Sequence, residues 1–447
     1  MSSKIQLSDH FTYKRLLRFI WPSVVMMVFI SIYGVVDGFF VSNFVGKTEF
    51  AALNFIMPFI MVLASPGFML GTGGSALVSK TLGEGKPEKA NQLFSMFCTM
   101  AIVAGAVVMV AAFFLLPAVA SAMGAEGQLL DDSVLYGRVL ILGTIPQMLH
   151  FLFESFIVTA EKPKLGLRVT LAAGITNIIL DAVFVGWLGW GLAGAAAATV
   201  IGQSIGGFIP LFYFYRPNNS RLRIDRTARF DGKALAKGCA NGSSELVSNI
   251  SMSLIGVLYN VQLLKYLGEN GVAAYGVIMY VNFIFISMYI GYAIGTAPIV
   301  GFHYGAGNKS ELQSILRKSF LLIGSACILM TLFGELLAEP LSRIFVSYDP
   351  ELLELTVHAF RIFSFTFLFC GFAIFGSSFF TALNDGLTSA IISFLRTLVF
   401  EMAAILLLPV LVGADGIWYA TLVPEFMAVV VWLCFLIGKR KKYGYFK

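Results

Sequence analysis

Charge is what this chain has least of. Asp, Glu, Lys and Arg make up only 13% of its 447 residues, and 58% are apolar, whereas a soluble domain carries about 25% charged residues. That shortage excludes an ordinary soluble enzyme or binding module and indicates a chain that lives in lipid. No segment between the apolar runs is long enough for a soluble domain. The opening stretch "MSSKIQLSDHFTYKRLLR" is polar and basic, so no secretory leader is expected. Cysteine is sparse: Cys98, Cys239, Cys327, Cys370 and Cys434 stand singly with no CxxC. This excludes a disulfide framework or zinc cage and suggests reduced packing residues. The four histidines, His10, His150, His303 and His358, are scattered, and neither DDxxD nor HExxH occurs. A polytopic membrane enzyme, one alternative for such a chain, therefore finds no catalytic constellation.

What is present is apolar length. Twelve runs of 20 residues or more recur, the first at 13–45 and the last at 416–438. Lipid offers the backbone no hydrogen-bond partner, so such runs must be helices. The fold class expected is an all-α integral membrane protein of twelve transmembrane helices. All but six of the 31 Lys and Arg residues (Lys47, Arg138, Lys265, Arg343, Arg361 and Arg396 are the exceptions) fall in the N-terminus, the loops after even-numbered spans, and the tail. The positive-inside rule then puts both termini in the cytoplasm of a cell (plasma) membrane protein. The net charge of +6 reads as this bias, with no nucleic-acid surface implied.

The chain is also written twice. "GFMLGTGGSALVSKTLGEGK" after the second span is matched some 220 residues later by "GYAIGTAPIVGFHYGAGNK": Gly67 pairs with Gly291, Gly71 with Gly295, Thr72 with Thr296, and Gly83 and Gly85 with Gly305 and Gly307. Each half holds an even number of spans, so the halves are parallel, related by a pseudo-two-fold axis along the membrane normal. The domains expected are a six-helix lobe at 1–215, a basic cytoplasmic linker at 216–236, a second six-helix lobe at 237–438 and a basic tail at 439–447. Paired bundles about a central cleft suit alternating access better than they suit a channel. The GxxxG pairs indicate close helix packing.

Six carboxylates fall within the spans: Asp37, Glu154, Asp181, Glu245, Glu401 and Glu425. Each costs about 2.5–3.5 kcal/mol at a helix centre on insertion scales, and only Arg361 and Arg396 are there to pair with them. In "NIILD", Asn177 and Asp181 are one turn apart on one helix face. With Asp37 on span 1 and Thr199 on span 6, they offer two carboxylates, an amide oxygen and a hydroxyl. These are hard oxygen ligands for a small cation, most plausibly sodium, or carboxyls that carry a proton.

Taken in order, "YGVVDGFFV", "GTGGSALVSKTLGEGK", "NIILDAVFV", "GLAGAAAATVIGQ", "NGSSELVSNIS", "GTAPIVGFHYGAGN" and "GADGIWYATLVPEF" resemble the multidrug and toxic compound extrusion (MATE) family, and within it the bacterial MepA-like branch, over essentially the whole chain. The resemblance implies a multidrug efflux antiporter that exports bulky cationic or aromatic compounds, driven by proton or sodium influx. It implies a cation-coupling site at Asp37, Asn177, Asp181 and Thr199, supported by Tyr33 and by Pro22, which lets span 1 bend. The helix after the ninth span, "HAFRIFSFTFLFCGFAIFGSSFF", contains no carboxylate, so the second-lobe ion ligand of the branch has no counterpart there. Glu245 and Glu425 are candidate substrate residues, because a buried carboxylate attracts an organic cation. The 42 Phe, 16 Tyr and 17 Met suit a pliable cleft. The partners expected are amphipathic or cationic drugs and the lipid bilayer, for a monomer with no cofactor other than its coupling ion. A flippase for a lipid-linked sugar is the remaining alternative, but an anionic headgroup calls for a basic cavity and the cleft candidates here are acidic.

Overall fold

Prolines and polar caps punctuate the apolar runs. Pro87, Pro163 and Pro350 open helices at positions whose N–H has no partner to lose. Asp231, Asn308 and Asp349 accept from first-turn backbone N–H groups. In both halves of the repeat, a left-handed glycine follows the second span of its matched pair: Gly85 has φ +74° and Gly307 φ +67°. Only glycine adopts that conformation without strain, which is why the "GEG" and "GAG" turns are written twice.

The computed structural model describes residues 5–446, apart from the side chains of residues 39, 42, 43, 47 and 48. The chain ends at 1–4 and 447, which the sequence assigns to the first lobe and the tail, lie outside the described residues. The first half contains α1 (Tyr13–Phe44), α2 (Lys47–Gly83), α3 (Pro87–Ala122), the pair α4 (Gly127–Leu142) and α5 (Thr144–Thr159), α6 (Pro163–Asp181) continued by a π-helical turn (Ala182–Trp187), and α7 (Gly191–Tyr215). The second half contains α8 (Gly232–Gly305), α9 (Lys309–Val346), the pair α10 (Pro350–Ser364) and α11 (Phe367–Ala382), α12 (Gly386–Phe394), a π-helical turn (Leu395–Phe400) with α13 (Glu401–Val412), and α14 (Asp415–Gly438). A short α15 (Arg440–Tyr443) follows.

Nine of these helices are long and apolar enough to cross a membrane, and two bent pairs, α4–α5 at 59° and α10–α11 at 48°, bring the number to eleven. The 74 residues of α8 would span about 110 Å if straight, but Gly268 breaks the helix at φ 63°, ψ −155°. Its two arms give the twelfth span. The duplication extends to irregularities: the fourth span of each half is bent, and the fifth of each half carries a π-helical turn.

The lobes meet along α1 and α2 of the first and α8 of the second. At the end that carries both termini, the backbones touch. A Cβ on Gly83 would collide with the Phe302 carbonyl, and one on Gly305 with the Lys80 carbonyl. The second-half GxxxG pair serves the same joint: Gly291 and Gly295 lie on Val24 and Ile20 of α1, on either side of Pro22, through which α1 runs unbroken. The first-half pair, Gly67 and Gly71, instead seats α2 on Met148 and Leu152 of α5. Toward the opposite end, Gly34, Gly256 and Gly276 have no atom within 4 Å of where a Cβ would stand. The joint is closed on the terminal side.

The N-terminal segment ties that closed side. The Leu7 N–H donates to Glu161 Oε1 (2.8 Å) in the first lobe, while Phe11 N–H donates to Glu311 Oε1 (2.9 Å) and His10 Nδ1 lies 2.7 Å from Glu311 Oε2 in the second. Leu7 and Phe11 are fully buried.

Candidate functional site

Small residues bring the first-lobe candidates together. α1 lies against α6 at Gly174, where a Cβ would stand 2.5 Å from the Phe29 ring and 2.9 Å from Tyr33. α7 reaches α6 at Gly202, where a Cβ would stand 3.0 Å from the Ala173 carbonyl and 3.1 Å from Asn177 Cβ. Asp37 on α1 and Asp181 at the end of α6 are thereby brought to act directly on one another. Asp181 is 0% exposed, Asn177 2% and Asp37 9%. The site is sealed, yet Asp181 Oδ1 and Oδ2, Asp37 Oδ1 and both amide atoms of Asn177 make no hydrogen bond. Two ionised carboxylates can only accept, so neither satisfies the other. Thr199, one turn before Gly202 on α7, donates its hydroxyl to the Ala195 carbonyl (3.1 Å), which orients its oxygen without using the lone pairs.

Buried acceptors without donors are costly, and a cation or a proton is what this set lacks. The chemistry is that of hard oxygen donors, so the residues present fit a small hard cation or a proton shared between carboxyls. The π-helical turn that begins at Ala182 directly follows Asp181. Such turns break the regular hydrogen-bond ladder and recur at functional sites.

Two neighbours, Tyr136 and Glu154, were not among the sequence candidates for coupling. Tyr136 on α4 is fully buried with its hydroxyl unpartnered, within electrostatic reach of both Asp37 and Asp181. Tyr33 is within electrostatic reach of Asp37 and of a second buried acid, Glu154. Glu154 Oε1 is 3.9 Å from His150 Nε2, too far to hydrogen-bond, and both side chains are about 95% buried. The signal that could have raised Tyr136 is a lone phenol within "DSVLYGRVLI", which no motif marks.

The second-lobe charges are arranged differently. Arg396, in the π-helical turn, grips Glu425 of α14 with three contacts: Nε to Oε1 and Oε2 at 2.9 Å each, and Nη2 to Oε1 at 2.7 Å. These two side chains are 17% and 13% exposed. Glu245 and Glu401, both half-buried, sense Arg396 without bonding to it. Beside Glu401 the Tyr259 and Tyr275 rings stack at 5.1 Å. Of the two substrate candidates, Glu425 is thus neutralised by an arginine and Glu245 is not. The first lobe holds a closed acidic set and the second a partly exposed mixed-charge set.

Two six-span lobes, each with ionisable groups buried among its own helices, are the frame of a two-lobed, multi-pass membrane transporter. The MatE family model matches residues 22–183 and again 246–406, one match per half, and the chain belongs to that family. It is 22% identical over 416 residues to the multidrug export protein MepA of Staphylococcus haemolyticus (strain JCSC1435), covering 92% of this chain and 90% of that one. Among solved structures, it matches MATE in complex with MaL6 at TM-score 0.92, with 20% identity over 100% of this chain and 99% of that one. It also matches the outward-facing conformation of a multidrug resistance MATE family transporter of the MOP superfamily at TM-score 0.92, with 21% identity over 99% of each chain. At these identities the structural likeness supports the fold.

Proposed function

We propose that the protein is a multidrug efflux antiporter that exports bulky cationic or aromatic compounds by alternating access. The driving step is inward flow of sodium ions or protons through Asp37, Asn177, Asp181 and Thr199. The observation that carries this reading is the buried carboxylate pair of Asp37 and Asp181, three of whose four oxygens have no hydrogen-bond partner, in a chain whose second lobe leaves Glu245 and Glu401 without a bond to Arg396. Loading the pair with a cation removes the repulsion between Asp37 and Asp181 and draws α1 and α6 together. Emptying it restores the repulsion and loosens the joint that α1 makes with α8 around Pro22. With both termini in the cytoplasm, the closed side of the joint faces the cytoplasm, and the opposite end is where cargo leaves and the ion enters. The protein works as a monomer in the plasma membrane.

The test is reconstitution in liposomes with a proton gradient and a sodium gradient imposed separately. One of the two gradients drives a cationic dye such as ethidium uphill in the wild type. Dye movement that never exceeds equilibrium under either gradient overturns antiport.

A further inference from the structure

The linker between the lobes does more than connect them. It is stapled to the first lobe: Arg223 N–H donates to Asn91 Oδ1 (2.9 Å), Asp225 N–H to Ser95 Oγ (2.7 Å) and Ile224 N–H to the Phe214 carbonyl (2.9 Å). Held this way, it closes one end of a cavity of about 650 Å³ between α3 and α7, within the range of small-molecule sites. The interior is apolar, formed by Met100 and Ile102 of α3 and Phe208 and Leu211 of α7. Its side is open where a bilayer would lie, with Phe208 46% and Phe212 55% exposed. From Phe208 to Tyr215 the wall runs about 10 Å along the helix axis.

Charge is confined to the linker end. Arg226 and Arg229 line it, and the Arg226 guanidinium is held 4.5 Å over the Tyr215 ring. Arg216 sits nearby, 4.2 Å over Phe212. The one acid in the lining, Asp225, has Oδ1 occupied by the Thr227 N–H (2.8 Å) and hydroxyl (2.7 Å). Arg226 and Arg229, with Arg216 beside them, outnumber the one acid, so the linker end of the apolar cavity carries a net positive charge. Basic pockets between spans suit lipid phosphates, and guanidinium forks match phosphate geometry.

We infer that this cleft binds one anionic phospholipid from the leaflet on the side of the termini, its phosphate on Arg226 and Arg229 and an acyl chain between α3 and α7. The linker and α7 lie outside the segments matched by the family model, whereas the α3 wall lies within one of them. The site does not depend on which ion drives transport.

The experiment is native mass spectrometry of the delipidated full-length protein, with phosphatidylglycerol and phosphatidylcholine of identical chains added in turn. The wild type retains phosphatidylglycerol over phosphatidylcholine by on the order of tenfold, the effect of two basic residues near a headgroup. An Arg226→Gln/Arg229→Gln variant with an unchanged melting temperature loses that preference. Arg226→Lys/Arg229→Lys keeps most of it, and Leu211→Trp, which fills part of the cavity, weakens retention of both lipids. Equal retention of the two lipids by the wild type, or a preference unchanged in the Gln variant, overturns the site. So does displacement of phosphatidylglycerol by ethidium, which would make the cleft an access groove for cargo.

Discussion

At the scale of single residues, the account turns on groups that lack partners. Asp37→Asn and Asp181→Asn keep the side-chain shape but remove the charge, so dye export measured in cells should fall about tenfold or more while the amount of inserted protein is unchanged. Gly202→Ala tests how the site is built. A methyl there must push α7 off Ala173 and Asn177, at about 1–3 kcal/mol for overpacking. The expected result is weaker ion dependence of export with a modest drop in melting temperature. In the second lobe, Glu245→Gln should raise the apparent KM for cationic dyes and spare neutral cargo. Glu425→Gln strands a largely buried guanidinium, at up to about 3–5 kcal/mol, so it should lower the melting temperature. The Arg396→Gln/Glu425→Gln pair should recover it. Sequence reading singled out Asn177 and Asp181 because an amide and a carboxylate four apart in an apolar run stand out on one helix face, and added Asp37 and Thr199 as oxygen groups on other spans of the same lobe. It could not reach Tyr136 or Gly174, whose importance comes from elements far apart in sequence that pack together. Nor could it show that Arg396 chooses Glu425 over Glu245 or Glu401, since all four read alike as charges in apolar runs.

At the scale of elements, the twelve spans were legible because lipid leaves apolar helices as the only spanning structure. The bends in the fourth and tenth spans and the π-helical turns were not: hydropathy runs on through Gly143 and Phe365, and an added residue in a helical turn leaves the composition unchanged. The N-terminal segment also reads as a polar lead-in, yet it buries Leu7 and Phe11 and ties Glu161 to Glu311 across the lobes. A cysteine at Leu7 should therefore react slowly with a thiol reagent in the intact protein and about tenfold faster when Glu161→Ala and Glu311→Ala remove its anchors, each a charge-assisted bond. The tail is docked as well. Burial would raise the Asp385 carboxyl, but hydrogen bonds from Lys439, Tyr443 and Thr388 outweigh it and hold the group below the ordinary carboxylate range. A depressed carboxyl stabilises docking above its unfolded range and loses that effect as pH falls through the lowered value. Hydrogen exchange at 439–446 should accordingly stay slow at neutral pH and quicken only under acid conditions.

At the scale of the molecule, duplication gave both halves the same frame, down to matching bends and left-handed glycines, while the charged positions diverged. Asp37 on span 1 faces no acid at the matching position of the second lobe, where Tyr259 stands. Under the proposed function, one lobe responds to an ion and the other to cargo. The central claim is that occupancy of the Asp37–Asp181 pair decides which end of the cleft is open. Spin-label distances test it most directly, with one pair at Leu188 and Lys265 on the side away from the termini and another at Lys164 and Arg317 on the terminal side. In the wild type, changing the driving ion, with dye present, should shorten the first distance and lengthen the second. In the Asp37→Asn/Asp181→Asn variant, both distances should stay fixed whatever the ion. Distances that fail to respond in the wild type, or that respond equally in the variant, would contradict the account.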